Sequence, residues 1–258
     1  MKIYLPICLF FGFCSSIAFA INENEVRNFD FDRDLSPEEL EELRGLVNKE
    51  LNLHDLSKLQ NTIIEVELND YMDRLLSNVR ELIIKNGIDP TSLPDQKIDI
   101  HVGKTKLTEG QLNDTSKIER YENATLSYNT DTQKLIAQMT IRFEDLKFIY
   151  KYHTKVTFIS MTGHVHGNVK HVHINVQLGF DLKQGLLFVN SINFKHTGSI
   201  TIKVSGNSLI DWITDAMSFV ITGVLHDLIL STIKNIIANP INSIVETVNN
   251  FLHPTSFL

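Results

Sequence analysis

Between Lys97 and Ser205 hydrophobic residues return at every second position, a pattern that fits an antiparallel sheet with one dry and one wet face. Leu135, Ala137, Met139, Ile141 and Phe143 alternate with Ile136, Gln138, Thr140, Arg142 and Glu144. Leu146, Phe148, Tyr150 and Tyr152 alternate with Lys147, Ile149, Lys151 and His153. Val172, Ile174, Val176, Leu178 and Phe180 then repeat the rhythm, as do Ile200, Ile202 and Val204. Turn-forming groups at Asn129-Thr130-Asp131, Gly167-Asn168, residues 181–185 and His196-Thr197-Gly198 divide this run into a meander of strands.

A sheet with one dry face needs a cover, and both flanks supply one. Upstream, Ile64, Leu68, Tyr71, Met72, Leu75, Leu76, Val79, Leu82 and Ile83 form a stripe of period 3.6, so a helix is expected from about Thr62 to Asn86. Gly87 stops it, and Asp89-Pro90 and Leu93-Pro94 hold the next piece extended. Downstream, residues 208–252 are apolar on most sides, and Pro240 divides them into two helices. The charge-free run starting at Ala216 ends before Asp227. That is short of the ~20 residues a membrane span needs, so the segment reads as a buried helix and the chain as not transmembrane. The expected fold class is α+β, a long curled antiparallel β-sheet wrapped around two apolar helices.

Strands wrapped around helices leave apolar space, and apolar space takes apolar ligands. The candidate lining is Met139, Ile141, Phe143, Ile174, Val176 and Leu178 from the sheet, with Leu68, Met72, Leu75, Trp212 and Val220 from the helices. The expected partner is a lipid or other hydrophobic small molecule.

The ends bear on where such a chain works. Met1-Lys2, the apolar run from Ile3 to Phe13 and Ala18-Phe19-Ala20 make residues 1–20 a secretory signal peptide. Both cysteines, Cys8 and Cys14, lie within it, so the exported chain has no disulfide and depends on its core. Residues 21–60 form an acidic arm with 11 acidic and 5 basic residues, and Ser36-Pro37-Glu38-Glu39 starts a short helix there. Residues 61–258 are the remaining domain. Its middle, residues 97–205, is mildly basic, with 14 basic and 9 acidic residues. That balance suits an anionic lipid or a microbial surface and, lacking a basic patch with regular aromatics, excludes nucleic acid.

The stretch from Gly163 to Phe180 holds His164, His166, His171 and His173. With residues 167–170 as a hairpin loop, His166 would oppose His171 and His164 would oppose His173, and all four would share the wet face away from the dry side. Such a group permits a three-histidine zinc site, a pH-responsive cluster, or simply a solvated polar face. The last is preferred, because an outer sheet face offers no shaped pocket. Neither a Gly-x-Ser-x-Gly nor a His-Glu-x-x-His motif nor a phosphate loop occurs, so neither an enzyme nor a cofactor is expected. Asn113-Asp114-Thr115 and Asn123-Ala124-Thr125 are glycosylation sequons, placing candidate glycans on Asn113 and Asn123.

The run LNDYMDRLLSNVRELIIKNGIDPTSLPD, residues 68–95, resembles the mite group 7 allergens and their insect relatives. The helix, its Asn-Gly stop, the Asp-Pro and Leu-Pro spacer, the meander and the apolar C-terminal helix follow that family's order over about residues 60–258. The resemblance implies the super-roll of tubular lipid-binding proteins, which includes bactericidal/permeability-increasing protein and the insect juvenile-hormone carriers. It implies a secreted, non-enzymatic protein that holds lipid in an apolar groove or tunnel. The hormone carriers have an N-terminal disulfide that this chain lacks, which suits the group 7 branch. The alternatives are a surface-recognition protein for microbial glycolipid with no carried ligand, and a zinc protein using the four histidines.

Overall fold

The computed structural model describes residues 63–100, 103–156, 158–206 and 211–253; the side chains of Ile100 and of residues 211–218 stand outside that description. The signal peptide and the acidic arm expected over residues 1–60 also fall outside it. The described chain is α+β, an open, curled antiparallel sheet wrapped around two helices. Strand β1 (Ile63–Glu67) leads into helix α1 (Asn69–Lys85). Then come β2 (Thr91–Leu93), β3 (Gln96–Ile100), β4 (Gly103–Asn113), β5 (Ile118–Arg120) and β6 (Thr125–Asn129). The long strands β7 (Lys134–Val156), β8 (Ile159–Asp181) and β9 (Leu186–Gly206) are followed by helix α2 (Asp211–Leu252).

Strands β7 and β8, 23 residues each, are the spine of the sheet. They pair from Lys134 opposite Asp181 to Val156 opposite Ile159. β9 pairs along the far edge of β8. The other edge of β7 is shared, with β6 and β5 on its first half and β4 on its second. β1 continues from β6, and β2 and β3 from β4.

The two alternating runs, Leu135–Phe143 and Leu146–Tyr152, are one continuous strand in which the buried parity shifts once. Phe143 and Leu146 are both buried, and so are Val169 and Val172 on β8. The shift falls on one transverse line, where Glu144-Asp145 face Lys170-His171 and Gly198 lies beyond them on β9. His171 (φ 58) and Gly198 (φ 77) supply the left-handed backbone for this kink. Two consecutive residues per strand leave the dry face there, and the concave side stays apolar on either side of the line.

The turns expected at Gly167-Asn168 and at residues 196–198 are therefore corrected to strand interior. Gly167 serves packing instead. A Cβ there would sit 2.4 Å from the Phe148 ring and 2.3 Å from the Thr201 carbonyl oxygen. A glycine within a strand often marks such a close approach. Tyr150 and Tyr152 lie in the same way over Gly110 and Gly163. These three rings close the half of the sheet beyond the kink, and the Tyr150 hydroxyl donates to the Pro94 carbonyl at 3.0 Å.

The expected first helix starts later than its stripe suggested. Residues 63–67 pair with β6 as a strand, which their β-branched Ile63, Ile64 and Val66 favour. At its other end α1 stops as expected. Gly87 (φ 65) donates to Ile84 and Ile88 donates to Ile83 at 2.9 Å, a Schellman motif.

Pro240 does not divide the C-terminal segment, and α2 runs through it. A proline removes the bond to the carbonyl four residues earlier, here Ile236, at a cost of about 3 kcal/mol. Ile229 and Ile233 before it, and Ile241, Ile244 and Val248 after it, are all buried. Each buried side chain of this size contributes roughly 1.5–3 kcal/mol, so packing on both sides outweighs the lost bond. From Phe219 to Leu252 the helix is long and apolar enough by composition to cross a membrane, more than its short charge-free runs indicated. In this fold one stripe, including Ile221, Leu225 and Ile229, is buried. Phe219 stands 85% exposed and Val224, Leu228 and Val245 are half-buried, so α2 is covered on one side and not, as expected, all round.

Candidate ligand-binding site

Before the kink the concave side of the sheet is not filled by rings. A cavity of about 530 Å³ lies there, between α1, α2 and the sheet. Helix α1 contributes Met72, Leu75, Leu76, Val79 and Ile83, the inward stripe of its sequence period. β7 contributes Ala137, Met139, Ile141 and Phe143, and β8 contributes Val176 and Leu178, all on the dry side before the parity shift. Helix α2 closes the third side with residues 232–241. Ile88, Ser92, Pro94, Thr115 and Ile118 complete the wall.

Of the eleven residues proposed for the lining, Met72, Leu75, Met139, Ile141, Phe143, Val176 and Leu178 meet at this cavity. Leu68 is buried at the junction of β1 and α1, where its amide donates to the Ala124 carbonyl at 2.8 Å. Ile174 is 1% exposed and packed in the core, and Val220 is half-buried on α2, well before the lining segment. The Trp212 side chain lies outside the described residues. On α2 the lining comes from a later segment than Val220. There Ile236, Ile237, Pro240 and Ile241 form the wall.

The chemistry of the lining is uniform. None of the lining residues is acidic, basic or a histidine. Its polar members are Ser92, Thr115, Gln138, Thr232, Asn235 and Asn239. Three of them already make hydrogen bonds. Thr115 bonds to the Ile88 carbonyl at 3.3 Å, Thr232 to Leu228 at 2.9 Å, and Gln138 accepts from Gln177 at 2.7 Å. Ser92, Asn235 and Asn239 are exposed, so neutral polar groups edge an apolar interior. Such a site removes a hydrophobic tail from water and offers uncharged donors and acceptors to what protrudes.

The four histidines are not a hairpin. All sit on β8, with His164 between Lys151 and Ser205, and His166 between Ile149 and Lys203. His173 lies between Arg142 and His196. At about 3.3 Å per residue, His164 and His173 are on the order of 25–30 Å apart along the strand. His164, His166 and His171 are exposed and His173 half-buried, all on the wet face opposite the cavity. That expected facing holds, although the kink and not a turn produces it. Among the described residues no group of three or more His, Cys, Asp and Glu side chains is placed to hold a metal.

Each half of the histidine row has its own surroundings. His171 Nδ1 meets Glu144 Oε1 at 3.0 Å, mid-strand beside the kink. His173 stacks on Tyr121 with ring centroids 3.9 Å apart and lies 5.6 Å from His196. Burial first, then the positive neighbours His196, Arg142 and His171, hold the His173 imidazole below the usual histidine range, against the opposing pull of Glu122. Asn123 is exposed, with its amide donating to Glu67 Oε1 at 2.8 Å, and Asn113 ends β4 opposite Lys147.

The site is thus an apolar cavity between a curled open antiparallel sheet and two helices. The chain belongs to the group 7 allergen family, whose model matches residues 67–249. Among solved structures it is similar to Takeout 1 of Epiphyas postvittana, with 12% identity and a TM-score of 0.39, covering 69% of this chain and 90% of that one. It is also similar to lipopolysaccharide binding protein, with 15% identity and a TM-score of 0.46 over 76% of this chain and 42% of that one. This chain thus spans less than half the length of the latter. No curated protein sequence matches it.

Proposed function

We propose that this protein is a secreted, non-enzymatic carrier that holds the apolar part of a lipid or similar hydrophobic molecule in the cavity between α1, α2 and the sheet. The observation that carries the reading is a 530 Å³ space walled by aliphatic and aromatic side chains and free of ionisable groups. The volume falls within the usual ~300–1,000 Å³ of small-molecule sites. Each methylene withdrawn from water contributes about 0.8 kcal/mol. Ten of them supply about 8 kcal/mol, an affinity near the micromolar range before the costs of association. Export is supported by the basic start, apolar run and small-residue ending of residues 1–20. A role without catalysis is supported by a lining that has no general base and no charged group to stabilise a reacting centre.

The test is native mass spectrometry of residues 21–258 secreted from eukaryotic cells, followed by delipidation and uptake of a fluorescent hydrophobic probe. A lipid-mass adduct, or saturable uptake by the stripped protein, is expected. Met139→Trp, which fills the cavity from β7, is expected to reduce uptake at least tenfold while leaving the circular dichroism spectrum unchanged. A chain that neither retains nor takes up a hydrophobic molecule, or a folded Met139→Trp variant with undiminished uptake, overturns the reading.

A further inference from the structure

We propose that the end of the sheet beyond the aromatic-packed half is a docking surface for an anionic lipid bilayer. The turn joining β7 to β8 carries Phe158, 98% exposed, next to Ile159, 47% exposed. Two large apolar side chains side by side at the tip of the longest hairpin gain nothing from the fold that displays them. Water is a poor environment for them, and the acyl boundary of a bilayer is a good one.

The charge around this tip selects the kind of bilayer. Lys104 on β4 lies opposite Lys155 on β7, three residues behind Phe158. Lys97 lies opposite Lys106 on the neighbouring pair of strands. All four lysines are exposed, and none makes an ion pair among the described residues. Asp99, opposite Lys104, is the acid nearest by register. Farther back Lys151 is matched by Glu109 at 2.5 Å, so the unmatched cations gather toward the tip. An apolar insertion or a cationic ring alone gives marginal attachment; the two together give stable but reversible binding to a surface with anionic headgroups.

The rest of the fold suits this use. β7 and β8 pair up to Val156 opposite Ile159, so the strands that carry the tip are held in register by the sheet. Met139 at the cavity and Phe158 at the tip are about 60 Å apart along the strand path. Docking at one end therefore leaves the cavity free, and the proposal does not rest on the carrier reading.

The experiment is co-sedimentation of the secreted protein with phosphatidylcholine vesicles, with and without phosphatidylglycerol. A second readout is quenching by brominated lipid of an indole introduced by F158W in a W212F background. We expect binding to the phosphatidylglycerol vesicles at least tenfold tighter than to phosphatidylcholine alone, weakening with salt. F158S and the K104E/K155E pair are each expected to lower it at least tenfold with fold and probe uptake intact, and the indole at position 158 is expected to be quenched. Absence of binding by the native chain, or equal binding by F158S and K104E/K155E, overturns the proposal; the second result would move docking to another surface, such as Phe219 on α2. Loss of probe uptake in the Met139→Trp variant with vesicle binding unchanged separates the two sites.

Discussion

At the scale of the residue, Gly167 and His173 turn local geometry into measurable behaviour. Gly167→Ala places a methyl group 2.4 Å from the Phe148 ring and 2.3 Å from a backbone oxygen. Relief requires the ring or the strand to move, at about 1–3 kcal/mol, so the urea midpoint is expected to fall with little change in slope. His173 sets an acid limit. Its proton affinity is lower in the folded than in the unfolded chain, so the unfolded state takes up the proton first as pH falls. Stability is then full above about pH 6.5, the unfolded value, and declines as pH falls from there toward the lower folded value. Asp73, Asp114, Glu122 and Asp181 are shifted down by hydrogen bonds to Arg120, to Lys117, to Lys195 and to the Gln184 backbone, respectively. These carboxylates stabilise the fold above their unfolded values of about 4 and lose that effect only as pH falls below them. Thermal melts between pH 7 and 5.5 are therefore expected to show falling stability that is flatter in His173→Gln; parallel slopes would remove His173 as the cause. The histidine row was visible in the sequence. Its separation into two surroundings was not, because pairing with Glu144 and His196 depends on strand register.

At the scale of the element, the helices and strands were read correctly where period and packing agree. Helix α1 is one case, with its stripe of Met72, Leu75, Leu76 and Ile83 and its Gly87 stop. The reading failed at residues whose local preference was overruled. Residues 63–67 continued the helical stripe yet form a strand, because β6 offers an edge to pair with. Pro240 carried a break signal yet sits inside α2, because apolar residues on both sides are buried in the same fold. Pro240→Ala restores a donor for the Ile236 carbonyl, and since proline costs about 3 kcal/mol in a helix interior the variant is expected to melt at a higher temperature. A lower melting temperature would mean that the proline ring's contact with the cavity matters more than the bond. Asn123 lies exposed within its sequon, and we propose it as the stronger of the two glycan acceptors; in chain expressed through a eukaryotic secretory route, Asn123→Gln is expected to remove one enzyme-releasable glycan.

At the scale of the whole molecule, the sheet has a filled half and a hollow half, and the kink through Glu144, His171 and Gly198 divides them. Ligand preference follows from the hollow half. With no ionisable group in the lining, a carboxylate entering it loses hydration without gaining a partner. A long-chain alcohol is expected to displace a fluorescent probe at lower concentration than the fatty acid of equal length at neutral pH. Ligand at one hundred times its dissociation constant is expected to stabilise the native state by about 2.7 kcal/mol, read as a rise in melting temperature. Equal potency of acid and alcohol would mean that a cation reaches the mouth of the cavity. The sequence by itself determined the class of the fold and the facing of its sheet, because hydrophobic period is a local property and each strand or helix records which side it buries. It also determined seven of the residues that meet at the cavity, since lining and core share the same dry face. Only the tertiary structure decided where that face is filled and where it is left open. That depends on which rings lie over which glycines across neighbouring strands and on which turn of α2 comes to rest against the sheet, and strand register and helix docking are relations between distant residues that no local pattern carries.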